Sequence, residues 1–141
     1  MQTVIIDTDV AIDFLRGNNY AKELLSELFG SNLAHLSILS VYELHAGMRD
    51  NERIKTQDFI NACNVELVTM DIAIKAGELR RYYQTKGITL TSIDCLIAAT
   101  AIIGKFRIAT RNKNHYPCEG RGLREGETLL RQSNFEPGCG S

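Results

Sequence analysis

The sequence predicts an α/β domain in which helices cover both faces of a central parallel sheet. Three observations carry that expectation. Val4-Ile5-Ile6 is a β-branched run that breaks off at Asp7, the pattern of a strand buried on both faces. Short apolar runs of this kind then alternate with amphipathic stretches at helical spacing. Residues 91–105, TSIDCLIAATAIIGK, read as a helix with apolar residues on almost every side, which belongs in the middle of a domain.

At 141 residues the chain is long enough for one domain with a real core and short for two. A hydrophobic fraction of 44% and a charged fraction of 23% place it with ordinary soluble globular proteins. The formal net charge of -1 provides no global basic field, so any nucleic-acid partner must use a local patch. No apolar run approaches the roughly 20 residues that cross a bilayer, and Met1 leads into a strand and not a secretory signal. The cytoplasm, with no membrane partner, is therefore the expected location. Cys63, Cys95, Cys118 and Cys139 form no CxxC pair, and Cys95 falls inside the apolar helix. They read as small apolar or incidental thiols, without a zinc site or a disulfide framework.

In chain order, the strand over residues 3–6 puts Asp7 at its carboxyl end, where ligands gather in parallel sheets. Asp7 or Thr8 also suits a helix cap. Residues 8–16 form a short amphipathic helix with Val10, Ala11, Phe14 and Leu15 inward. Asp13 reads as a solvated charge near Arg16, and Asp9 lies within reach of the strand end. Residues 19–30 are a packing helix, and residues 33–39 a second strand in which His35 is structural.

Residues 40–49 follow as a helix. Ser40 and Glu43 have capping-box spacing, which would put Glu43 in the first turn at the same sheet edge, with Gly47 leaving open space beside it. His45 faces the apolar side as a core histidine. Residues 51–64 are weakly helical, residues 65–70 a third strand, and Asp71 caps a helix whose apolar seam is Ile72, Ala76, Leu79 and Tyr83. Arg80, Arg81 and Lys86 stay outside, as a solvated face or as phosphate contacts. Thr91 and Asp94 open the apolar helix, where Asp94 either completes a capping box or serves as a buried ligand. Residues 106–110 are the last clear strand. It runs into Arg111-Asn112-Lys113-Asn114-His115-Tyr116-Pro117, a polar loop suited to gripping a nucleic-acid backbone and stacking a base. Beyond Cys118 the pattern fades among scattered glycines.

Asp7, Glu43, Asp94 and Asn112 are thus all expected at one edge. Oxygen-only ligands suit hard magnesium or manganese ions. Two carboxylates about 4 Å apart repel by about 4 kcal/mol at an effective dielectric near 20, so such a cluster wants a cation or a shared proton.

The segments VIIDTD, SVYELHAG, TSIDCLIAATA and IATRNKNHY, in this order and at these separations, resemble the PIN-domain proteins, and most of all the VapC-type toxins of prokaryotic toxin and antitoxin pairs. The resemblance spans roughly residues 1–117. It implies a PIN-like three-layer α/β/α fold with a central parallel sheet of four to five strands; with the fading pattern, the chain is expected to divide into a nuclease domain over residues 1–124 and a loose or partner-dependent tail over residues 125–141. It further implies a Mg2+- or Mn2+-dependent endoribonuclease that cleaves structured RNA such as tRNA or rRNA, forms a homodimer and is silenced by a cognate antitoxin. Residue by residue, Asp7, Glu43 and Asp94 match the acidic metal positions of the family. Asn112 matches a fourth catalytic position often held by aspartate, and His115 one that is frequently acidic. Arg111, Lys113 and His115 are the expected RNA-binding residues.

Two other readings stay open at this point. VIIDTDV also fits the strand and DxDxV signature of haloacid-dehalogenase-like phosphatases, with Asp7 as nucleophile and Asp9 as acid and base. Alternatively, the amide at Asn112 is consistent with a non-catalytic PIN-like interaction module.

Overall fold

The computed structural model describes residues 3–111 and 129–131. Strand β1 (Val4–Ile6) is buried at every position, as its β-branched run requires. Burial on both faces is met at the centre of the sheet. β1 pairs in parallel with β2 (Ala34–Ser37) on one side and with β4 (Arg107–Thr110) on the other. β3 (Asn64–Glu66) continues the parallel sheet beyond β2, and β5 (Leu129–Arg131) closes the far edge antiparallel to β4, giving the order β3-β2-β1-β4-β5.

Alternation along the strands divides the core into two. Val4, Ile6, Leu36 and Ala109 face α1 (Thr8–Leu15), α2 (Asn19–Gly30), α3 (Ile38–Gly47) and α4 (Arg53–Ala62). Ile5 and Ile108 face α5 (Met70–Thr85) and α6 (Ser92–Gly104). The result is the expected three-layer α/β/α architecture, with α6 buried through Asp94, Cys95, Ile97, Ala98, Ala99, Thr100 and Ala101.

Several local expectations are revised. Helix α3 starts at Ile38, because Ser37 is its N-cap and accepts from the Leu39 N–H at 3.1 Å. Ser40 is therefore inside the helix and fully buried, and Glu43 lies in the second turn. Thr69, not Asp71, caps α5, accepting from the Ile72 N–H at 3.3 Å. His45 is exposed and bonds Gln57 at 3.1 Å, so it is not a core residue. Arg80 donates to Ser92 Oγ at 2.7 Å and so braces the start of α6. Within the segment expected to be loose, residues 129–131 form β5, which satisfies backbone groups that β4 would otherwise present at an open edge. The rest of that tail lies outside the described residues.

Helix α6 ends on Lys105, which adopts φ 56° and turns the chain back into β4. A Cβ on Gly104 would stand 2.2 Å from the Phe106 ring, itself buried and packed on His35 at 4.6 Å between ring centroids. Replacing Gly104 with Ala should therefore lower stability by about 1–3 kcal/mol, read as a reduced urea midpoint at unchanged slope. An unchanged midpoint would mean that the ring moves aside at no cost.

Candidate active site

The site begins where β1 ends. Asp7 is only 3% exposed, yet both of its oxygens are engaged: Oδ1 accepts from the Thr8 N–H and Oδ2 from the Thr110 hydroxyl, each at 2.8 Å. The first bond makes Asp7 the N-cap of α1. The second follows from sheet register. Ile6 is opposite Ala109, and the Asp7 N–H donates to the Ala109 carbonyl at 2.9 Å, so Thr110 is the next neighbour along.

Thr8 carries the connection to α3. Its hydroxyl lies 2.7 Å from Glu43 Oε1 and 2.9 Å from Ser40 Oγ. A hydroxyl has one proton and a carboxylate can only accept, so Thr8 donates to Glu43 and accepts from Ser40. Asp7 and Glu43 are thereby joined through one residue.

Asp94 opens α6 in the opposite helical layer. It is 7% exposed, and its N–H donates to Thr91 Oγ1 at 3.1 Å in the first turn of α6, where a negative charge is favoured by the helix dipole. Because Lys105 reverses the chain, α6 runs back along β4. Asp94 stands roughly 15 Å up the helix from Gly104, and β4 is roughly 13 Å long, so the start of α6 lies toward the end of the sheet where β4 finishes.

A second acidic group near this edge is Asp13, which is buried and not solvated as its spacing from Arg16 suggests. It accepts from the Tyr20 hydroxyl and pairs with Arg111 Nη1 at 3.1 Å. Arg111 is thus anchored at the end of β4 while its side chain remains 42% exposed. Asn112, Lys113 and His115 lie outside the described residues. The residues that sequence reasoning missed are Thr8, Thr110 and the Asp13 anchor. Thr110 becomes visible only when the β1 and β4 register places it beside Asp7, and the link from Thr8 to Glu43 only when α3 packs beside α1.

The donor set consists of carboxylate and hydroxyl oxygens, which fits a hard divalent cation. Among the described residues, however, no three His, Cys, Asp or Glu side chains are gathered into one group able to hold a metal ion. Asp7, Thr110, Thr8 and Glu43 form one hydrogen-bonded chain, with no three-carboxylate cage among the described residues. Burial raises the thiol pKa of Cys95, next to Asp94, against the opposing pull of Arg80. Burial likewise pushes Cys63 up to about 12, so both remain protonated at neutral pH.

The PIN domain family model matches residues 4–117. The chain belongs to the PIN-domain family. Among its relatives, "Ribonuclease VapC19" of Mycobacterium tuberculosis is 41% identical over 115 residues, covering 80% of this chain and 91% of the relative. "Ribonuclease VapC10" of the same organism is 33% identical over 114 residues, covering 81% and 86%. The solved "Toxin-antitoxin complex from Klebsiella pneumoniae" superposes on this PIN domain with a TM-score of 0.72 at 22% identity, covering 90% of this chain and all of that one, and shows the shared fold. Membership in the family sets aside the dehalogenase-like reading of Asp7 and Asp9. No described helix is long and apolar enough to cross a membrane.

Removing Arg111 leaves the buried Asp13 carboxylate with the Tyr20 hydroxyl alone among the partners described here. Arg111→Ala should cost about 1–3 kcal/mol in chemical denaturation. The loss in the Asp13→Asn, Arg111→Ala double variant should fall short of the sum of the single losses. Additive losses would show that the pair is not coupled.

Proposed function

We propose that this PIN-domain chain is a Mg2+- or Mn2+-dependent endoribonuclease, the toxin of a toxin and antitoxin pair, acting in the cytoplasm on structured RNA such as tRNA or rRNA. The observation that carries the reading is that Asp7 and Asp94 are buried carboxylates and that Thr8, next to Asp7, bonds Glu43. The relatives named as VapC ribonucleases support it.

In this reading Asp7, Glu43 and Asp94 hold the cation, and Asn112 contributes through its amide oxygen or through water. When bound, the ion supplies a polarised water as nucleophile and positive charge at the scissile phosphate. Thr8 and Thr110 keep the Asp7 and Glu43 oxygens aimed at the shared edge. Arg111, held by Asp13, offers the exposed part of its guanidinium to the RNA backbone, beside Lys113 and His115.

Two surfaces support the proposed protein partners. Phe14, Phe29 and Phe59 pack at 5.4–5.9 Å between centroids and line a groove between α1, α2 and α4, rimmed by Lys22 and Lys55. An antitoxin segment with an apolar face and acidic flanks complements it. Leu67, Met70 and Ile74 are 65%, 76% and 54% exposed and suit a second copy of the chain. Light scattering should return twice the chain mass; a strict monomer at working concentration would contradict the dimer.

Because no three-carboxylate cage is assembled among the described residues, the rival reading is a non-catalytic PIN-like interaction module. Asp94→Asn should reduce Mg2+-dependent cleavage of a mixed RNA pool by about 100-fold or more, the effect of several kcal/mol of lost transition-state stabilisation. Its circular dichroism should stay as in the wild type, and EDTA should stop the wild-type reaction. A wild-type chain inert with every divalent metal would establish the rival, and a fully active Asp94→Asn would rule out the proposed mechanism.

A further inference from the structure

We propose that a cavity beside Glu43 binds the base of a nucleotide flanking the scissile phosphate, and that Gly47 determines whether the base can enter. The inference rests on the endoribonuclease reading. The cavity lies between α1, α3 and the 3-10 turn Asp50–Glu52, with Glu43 at one end and Gly47 and Met48 along its wall. Its volume is about 110 Å³. That is far below the roughly 300 Å³ of pockets that take drug-sized ligands, so it suits one ring system and not a whole nucleotide.

Its lining suits a planar ring that carries amine donors. Ile12 and Leu44 provide apolar contact for a ring face, and Arg16 provides a guanidinium that stacks on bases. Glu52 adds a carboxylate to the lining, paired with Lys55 at 3.8 Å, while Glu43 is committed to the cation in the ribonuclease reading. Glu52 stays ionised, because the Arg49 N–H donates to its Oε1 at 2.8 Å and holds its carboxyl below the usual range. Carboxylates accept from exocyclic amines, so adenine, cytosine and guanine fit better than uracil.

Position supplies the rest of the argument. Glu43 both borders the cavity and bonds Thr8, the residue after Asp7, so the cavity adjoins the end of the sheet where Asp7 lies. Gly47 lines the cavity, and a Cβ there meets nothing within 4 Å, so a larger side chain is accommodated at this wall without displacing a neighbour.

The test compares wild type, Gly47→Ala and Gly47→Leu on a randomised RNA library with Mg2+, together with anisotropy of a non-cleavable RNA in EDTA. The wild type should favour amine-bearing bases at one position beside the cut. Gly47→Leu should flatten that preference, raise KM and the EDTA-measured Kd by about tenfold, and leave kcat within about threefold. Gly47→Ala should move the same way by less, and neither should lower the melting temperature. Metal-dependent cleavage with no base preference, or preference and affinity unchanged in Gly47→Leu, overturns the inference and leaves the ribonuclease reading standing. RNA parameters unchanged with antitoxin binding weakened would assign the cavity to a protein side chain and also overturn it. A wild-type chain without metal-dependent cleavage overturns the underlying reading, and this inference with it.

Discussion

The buried carboxylate of Asp7 governs how three elements meet. A carboxylate removed from water without partners costs several kcal/mol, so its oxygens must be satisfied by whatever surrounds it. The Thr8 N–H and the Thr110 hydroxyl meet that demand at 2.8 Å each, and they come from the start of α1 and the end of β4. Satisfying one side chain therefore sets the angle at which the first helix leaves the sheet and the height at which the last parallel strand ends. Thr8 extends the arrangement to α3 by donating to Glu43.

The same strand end is gripped a second time. Asp13, near the other end of α1, holds Arg111, the residue after Thr110. Two acids six positions apart on one chain segment thus anchor two consecutive residues of another, Thr110 and Arg111. This is the kind of support that holds a reactive group in place while loops around it vary.

Much of this was legible in the sequence. The β-branched run before Asp7 and the apolar surround of Asp94 mark buried elements directly, and residues 19–30 form a helix as their spacing predicts. What was not legible depends on tertiary pairing. Thr110 is an ordinary strand residue until register sets it beside Asp7. Ser37 and Ser40 are equally good caps by type, and the structure uses the one at the end of β2. Asp13 has a nearby arginine at Arg16, yet its partner is Arg111, far along the chain. β5 offered only two leucines among polar and glycine residues, too short a signal to separate from a tail.

The account stands on three acids from different layers sharing one cation. Anomalous diffraction from crystals of the protein grown with Mn2+ tests this directly. It should reveal a manganese peak within coordination distance of oxygens from Asp7, Glu43 and Asp94. A peak elsewhere, or saturating Mn2+ with no peak at this edge, would contradict it.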